Sequence, residues 1–97
     1  MLIQYIRDPK TRQRRGVVVA VARETDFGVG WSLCHTKRGG KGLDRFDRDR
    51  GLQIALARAT KYGRMWYQSK VPHSIYSDVD EMAARAGEYF KQFSNKD

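Results

Sequence analysis

Cys34, His35 and His73 are the side chains best suited to nucleophilic or metal chemistry, because thiolates attack electrophiles and thiols with imidazoles bind zinc. They lack the paired-Cys or paired-His spacing of a zinc site, so no metal is expected. Gly30-Trp31-Ser32-Leu33-Cys34 offers the serine of a nucleophile elbow, yet it ends in Cys where Gly is required and leads into a loop instead of a helix. Lys41 stands in a glycine-rich run, HTKRGGKGL. It is followed by Gly42 where a phosphate-binding P-loop places Ser or Thr on magnesium, and the first glycine of that motif is missing. Asp44, Asp47 and Asp49 alternate with Arg45, Arg48 and Arg50, a mixture that suits helix capping and surface ion pairs better than metal-dependent hydrolysis. The chain is therefore expected not to be an enzyme and to need no cofactor. A catalytic reading would require a pocket that gathers Cys34, His35 and His73.

What remains is phosphate chemistry by cations. The net charge is +8, and it is uneven: residues 1–22 carry +4, 35–50 carry +3 and 51–70 carry +4, whereas 71–97 carry −2. Such asymmetry fits a polyanion-binding face joined to an unrelated C-terminal element. The candidate phosphate contacts are Arg12, Arg14 and Arg15 in a first basic loop, Lys37, Arg38 and Lys41 in the glycine-rich loop, and Arg50, Arg58 and Lys61 on a helix. Each has a plainer alternative. The first loop is either a flexible arm on phosphates or a solvated hairpin loop. The second presents backbone N–H groups to an anion or is a mobile loop with solvated charges. Trp66 and Tyr67, beside Arg64 and Lys70, stack on unpaired bases or, as is commoner, close a small core.

Length and composition bound these readings. A chain of 97 residues with 40% hydrophobic content is one domain with one core, spanning 1–97, with basic loops at 8–15 and 35–43 and a C-terminus that frays from Ser94. No apolar run approaches the roughly 20 residues that span a bilayer, and Met1–Ile6 is too short for a secretory h-region, so no membrane partner and a cytoplasmic location are expected. Cys34, the one cysteine, cannot form an internal disulfide, in agreement with a reducing compartment.

The elements that must position the cations follow from periodicity. Leu2–Arg7 reads as a first strand stopped by Asp8-Pro9. Gly16–Arg23 reads as a central strand, with Val17, Val19 and Val21 on one face and Val18, Ala20 and Ala22 on the other. A turn containing Gly28, free to take positive φ, leads to a third strand over Val29–Cys34. There Val29, Trp31 and Leu33 share one face, while Gly30, Ser32 and Cys34 make a small-residue face that a helix can approach closely. Leu52, Ala55, Leu56, Ala59 and Tyr62 predict a helix over Asp47–Tyr62, with Asp44 or Asp47 as N-cap and Gly63 as terminator. Arg50, Ile54, Arg58 and Lys61 fall opposite Leu52, Ala55 and Ala59. A second helix is expected from Ser77, with Val79, Met82, Ala83, Ala86, Phe90 and Phe93 on one stripe. The fold class is α+β: a three-stranded antiparallel sheet of order 1-2-3 followed by two helices (β-β-β-α-α), the first packed on one face and the second beside it.

One likeness carries information about origin. The Gly30-Trp31-Ser32-Leu33-Cys34 run, followed by Asp44-Arg45-Phe46-Asp47-Arg48-Asp49-Arg50-Gly51-Leu52-Gln53-Ile54-Ala55 and Arg58, resembles a set of small proteins encoded by tailed bacteriophages, over about residues 17–60. The resemblance implies a phage origin and action in the host cytoplasm. It implies no particular activity, since these proteins mostly lack an assigned one. In architecture alone the chain is also similar to the three-stranded DNA-binding modules of integrases and plant AP2 domains. The expected function is nucleic-acid binding, to DNA or RNA, with little sequence specificity. The alternative is an inhibitor or adaptor that docks on a host protein through Ile54, Trp66 and Tyr67. A homodimer is also expected: the second apolar face of the sheet needs a cover, which the C-terminal helix can supply either within its own chain or from a symmetry mate.

Overall fold

A computed structural model describes residues 1–34 and 47–90. The basic loop at 35–43, with Lys37, Arg38 and Lys41, lies outside the described residues, as do Phe93 and the C-terminus.

Strands β1 (Leu2–Arg7), β2 (Arg14–Ala22) and β3 (Phe27–Leu33) form one antiparallel sheet in the order β1-β2-β3, followed by helices α1 (Arg48–Tyr62) and α2 (Tyr76–Tyr89). The α+β arrangement is the expected one. Strand β2 is central because both of its faces are apolar: Val17, Val18, Val19 and Ala20 are all buried. It begins two residues earlier than expected, since Arg14 pairs with Arg7. The register shift at Ile6/Arg7 leaves Arg15 as the extra residue of a bulge. Arg14 and Arg15 are thus strand residues, and the loop proper is confined to residues 8–13.

The two helices lie on opposite faces of the sheet instead of side by side. Val17, Val19, Ala55 and Ala59 form one buried cluster under α1. Val18, Val29 and Trp31 form the other, with Trp66, Ile75, Val79, Met82, Ala86 and Phe90 from α2 and the segment before it. The physical reason is the even distribution of apolar surface over both faces of β2 and β3, which leaves each face to be covered. At about 1.5–3 kcal/mol for each large apolar side chain removed from water, Val79, Met82 and Phe90 suffice to dock α2 on its own sheet. Val79, Met82, Ala86 and Phe90 of the α2 stripe are thus covered within one chain, the intrachain one of the two expected arrangements.

On the α1 face the backbones come close. Gly51, Ala55 and Ala59 are the buried residues of α1, and Ala55 and Ala59 face Gly30 and Gly28 of β3. A Cβ at Gly30 would collide with the Ala55 carbonyl oxygen, and one at Gly28 with that of Ala59. Gly28 belongs to the strand and not to the turn, so its role is to leave room, not to supply positive φ. Gly63 does take the left-handed side of φ, at 58°, and its N–H donates to the Ala59 carbonyl to end α1. Asp47 is the N-cap, its Oδ1 accepting from the Arg50 N–H at 3.1 Å.

The outer edge of β3 is occupied at its centre. The Val29 N–H donates to the Gly63 carbonyl at 3.2 Å, and the Trp31 carbonyl accepts from Arg58 at 2.8 Å. Between the helices the chain makes two 3-10 turns, Trp66–Ser69 and His73–Ile75, divided by Lys70 in a left-handed conformation (φ 57°) and by Pro72.

Candidate nucleic-acid interface

Antiparallel pairing brings the β1–β2 loop and the end of β3 to one end of the sheet, where the Cys34 N–H donates to the Arg15 carbonyl at 2.8 Å. Helix α1 runs back along β3, with Ala55 opposite Gly30 and Ala59 opposite Gly28, so its N-terminus starts at that same end. Arg7, Lys10, Arg12, Arg14, Arg15, Arg48 and Arg50 are thereby gathered there, among the described residues, against Asp8, Asp47 and Asp49.

Two of those three carboxylates are turned to backbone. Asp8 Oδ1 accepts from the N–H groups of Lys10 (2.8 Å) and Thr11 (3.0 Å), and the loop closes with Asp8 N–H to Gln13 O and Arg12 N–H to Asp8 O, both 2.8 Å. The Thr11 and Lys10 N–H groups, with the charges of Arg15 and Lys10 behind them, hold the Asp8 carboxyl below its ordinary value. Asp47 accepts from the first turn of α1 as its cap. Of the two readings of this segment, a flexible arm or a solvated hairpin loop, the structure has the hairpin loop, wound round Asp8, in which Arg12 adopts φ 67° and its carbonyl accepts from Arg7 Nη1 at 3.0 Å.

The candidate cations differ in what they touch. Arg12 is exposed in the loop, and Arg14 places its guanidinium 4.4 Å from the centre of the Tyr5 ring. Arg15 is half-buried, and its Nε finds no hydrogen-bond partner among the described residues. Arg50 is exposed on the first turn of α1. Lys61 is exposed, its ammonium 5.3 Å from the Tyr62 ring centre, about 16 Å further along the helix at 1.5 Å per residue. Arg58 does not stand on a free solvent face. Three residues on from Ala55 it is only about 60° round the helix from the buried stripe, close enough to reach over the β3 edge. Its guanidinium lies 3.9 Å from the Trp31 ring centre and donates to the Trp31 carbonyl. Burial there lowers its pKa, with Tyr62 opposing the shift.

Among the aromatic candidates, Trp66 is 7% exposed and belongs to the α2 core, so it cannot serve as a partner anchor. Ser69 Oγ donates to the Trp66 carbonyl at 2.6 Å and accepts from Trp31 Nε1 at 2.9 Å, which ties both tryptophans together. Tyr67 is 52% exposed, and Ile54 is half-buried. Lys10 belongs to the basic loop at 8–15 with Arg12. Arg7 and Arg48 join the basic end although their sequence neighbourhoods do not mark them as phosphate contacts, because their membership depends on strand direction, which no local pattern encodes.

For catalysis, Cys34 is half-buried and His73 exposed, while His35 lies outside the described residues. Two surface grooves, one of about 410 Å³ bordered by Val21, Arg23 and Thr60 and one of about 510 Å³ bordered by Phe27, Arg64, Gly87 and Phe90, include neither Cys34 nor His73. Among the described residues no three His, Cys, Asp or Glu side chains are grouped to hold a metal ion, and no helix is long and apolar enough to cross a membrane. No family model, no curated protein and no solved structure matches the chain.

Proposed function

We propose that this is a phage-encoded basic protein that binds DNA or RNA through its phosphates, with little sequence specificity, in the host cytoplasm. The observation that carries the reading is the segregation of charge: seven cations meet at the loop end of the sheet and the start of α1, whereas α2, across the sheet, exposes Asp80, Glu81 and Glu88. Contacts to phosphate position a protein without reading bases, which fits arginines carried on a loop and a helix end. The phage assignment is supported by the likeness in the Gly30–Cys34 and Asp44–Arg58 stretches.

The test is fluorescence anisotropy with labelled DNA and RNA over a range of salt. Affinity should fall steeply with salt, and replacing Arg12, Arg14 and Arg50 by Gln should flatten the logarithmic slope by about 0.7–0.9 for each phosphate that is no longer neutralised. Absence of binding to either nucleic acid at low salt would reject the reading. The half-exposed ring of Tyr67, together with the partly open Ile54, favours a second reading as an adaptor on an acidic host surface. Pull-down from host lysate after nuclease treatment separates the two, because bridged partners are lost and direct ones persist.

A further inference from the structure

We propose that the nucleic acid bound is single-stranded, and that Tyr67 and Tyr76 stack on its bases. The inference rests on the nucleic-acid reading above and names the strand class that this surface accepts.

Tyr67 and Tyr76 are 52% and 46% exposed; Tyr67 lies on the first 3-10 turn between the helices and Tyr76 is the first residue of α2. The fold brings both to one buried side chain. The Tyr67 ring meets Trp66 edge-on with centroids 5.8 Å apart, and the Tyr76 ring meets it tilted at 5.2 Å. Trp66 is itself fixed through the Ser69 hydroxyl to Trp31 in β3. The two tyrosines therefore stand on a rigid base with much of each ring open to solvent, so little rotamer freedom is left to lose on binding. Scattered exposed aromatics need no explanation. Two that flank one buried tryptophan form a platform.

The electrostatic setting matches. From Arg50 to Ser77 the sequence contains Arg50, Arg58, Lys61, Arg64 and Lys70 and not one Asp or Glu. The 3-10 turn that carries Tyr67 lies along the outer edge of β3, where Ser69 meets Trp31. Arg58 reaches the same edge from α1, onto the Trp31 ring whose Nε1 bonds Ser69 of that turn, and Lys61 follows three residues further along α1. The sequence that leads up to Tyr67 and on to Tyr76 is thus cationic throughout, which suits a phosphate backbone. A duplex keeps its base faces inside the stack, and only unpaired bases can present them.

The experiment compares a labelled thymidine oligonucleotide, a labelled uridine oligonucleotide and a DNA duplex of equal length by anisotropy at one salt concentration. The single strands should bind more tightly than the duplex. Tyr67→Ala and Tyr76→Ala should each weaken single-strand binding by roughly tenfold, as loss of one stacked base does, and leave duplex binding unchanged. Tyr67→Phe and Tyr76→Phe, which keep the ring face, should bind as the wild type does. If either alanine variant fails to fold, Tyr67→Leu and Tyr76→Leu retain apolar volume against Trp66 without a π-face and carry the same test. Equal or tighter duplex binding, or single-strand binding indifferent to these changes, overturns the inference and leaves the phosphate-binding reading standing. No binding to any of the three probes overturns both.

Discussion

The Arg58 guanidinium covers the Trp31 ring at 3.9 Å and donates to the carbonyl of the same residue at 2.8 Å, so one side chain engages both the face and the backbone of its partner. A cation held in this way is part of the fold. Arg58→Ala should cost about 1–2 kcal/mol of stability, from a charge-assisted hydrogen bond and a partly desolvated cation–π contact. Arg58→Lys should recover only part of it, because an ammonium cannot stack and donate in the same plane. Urea denaturation followed by tryptophan fluorescence measures both. A wild-type midpoint in Arg58→Ala would show that the contact contributes nothing.

Two glycine substitutions should have opposite signs. Gly30→Ala places a methyl group on the Ala55 carbonyl and must push α1 off the sheet, at a cost of about 3 kcal/mol or more. Gly87→Ala, on α2, meets nothing within 4 Å and should stabilise by about 0.5–1 kcal/mol through helix propensity. Thermal unfolding of the pair reads the difference directly.

Ser69→Ala removes the acceptor for Trp31 Nε1, leaving a buried N–H without a partner. The expected loss is about 1–3 kcal/mol. Ser69→Thr, which keeps the hydroxyl, should lose less, and equal losses in the two variants would assign the effect to packing instead.

Acid should loosen the hairpin loop late. The folded pKa of Asp8 lies below its ordinary value of 3.8, chiefly because the Thr11 and Lys10 N–H groups bond the carboxylate. Its contribution is thus fully present above the unfolded pKa and is lost as pH falls through the folded one. NMR titration should show the Lys10 and Thr11 amides moving with a midpoint below 3.8. Asp8→Ala should abolish that transition and speed amide exchange in the loop.

Much of this fold is legible in the sequence because β2 is apolar on both faces, with Val17, Val19 and Val21 on one and Val18, Ala20 and Ala22 on the other, while Gly30 and Ser32 of β3 make a small-residue face that Ala55 and Ala59 can approach closely. Gly63 and Asp47 mark the helix ends through local backbone chemistry, which is why both are identifiable. What is not legible depends on contacts distant in the chain. Nothing near Arg58 announces Trp31, 27 residues earlier, and the 60° offset from Ala55 permits either a solvent stripe or a reach over the sheet edge. Gly28 reads as a turn residue because spacing reports backbone freedom, whereas its role is set by the Ala59 carbonyl on another element. Tyr76 is hidden for the same reason: no helical or strand period runs through the two 3-10 turns and Pro72 that bring it to Trp66.

The occupied centre of the β3 edge also governs what the chain does at high concentration. Sheet growth from molecule to molecule needs two open sides, one to receive a strand and one to offer the next. With Gly63 and Arg58 seated on Val29 and Trp31, strand addition at β3 is blocked where its ladder would form. Strand pairing between folded molecules is then left to the β1 side, and a pairing that uses one edge from each molecule closes at two copies.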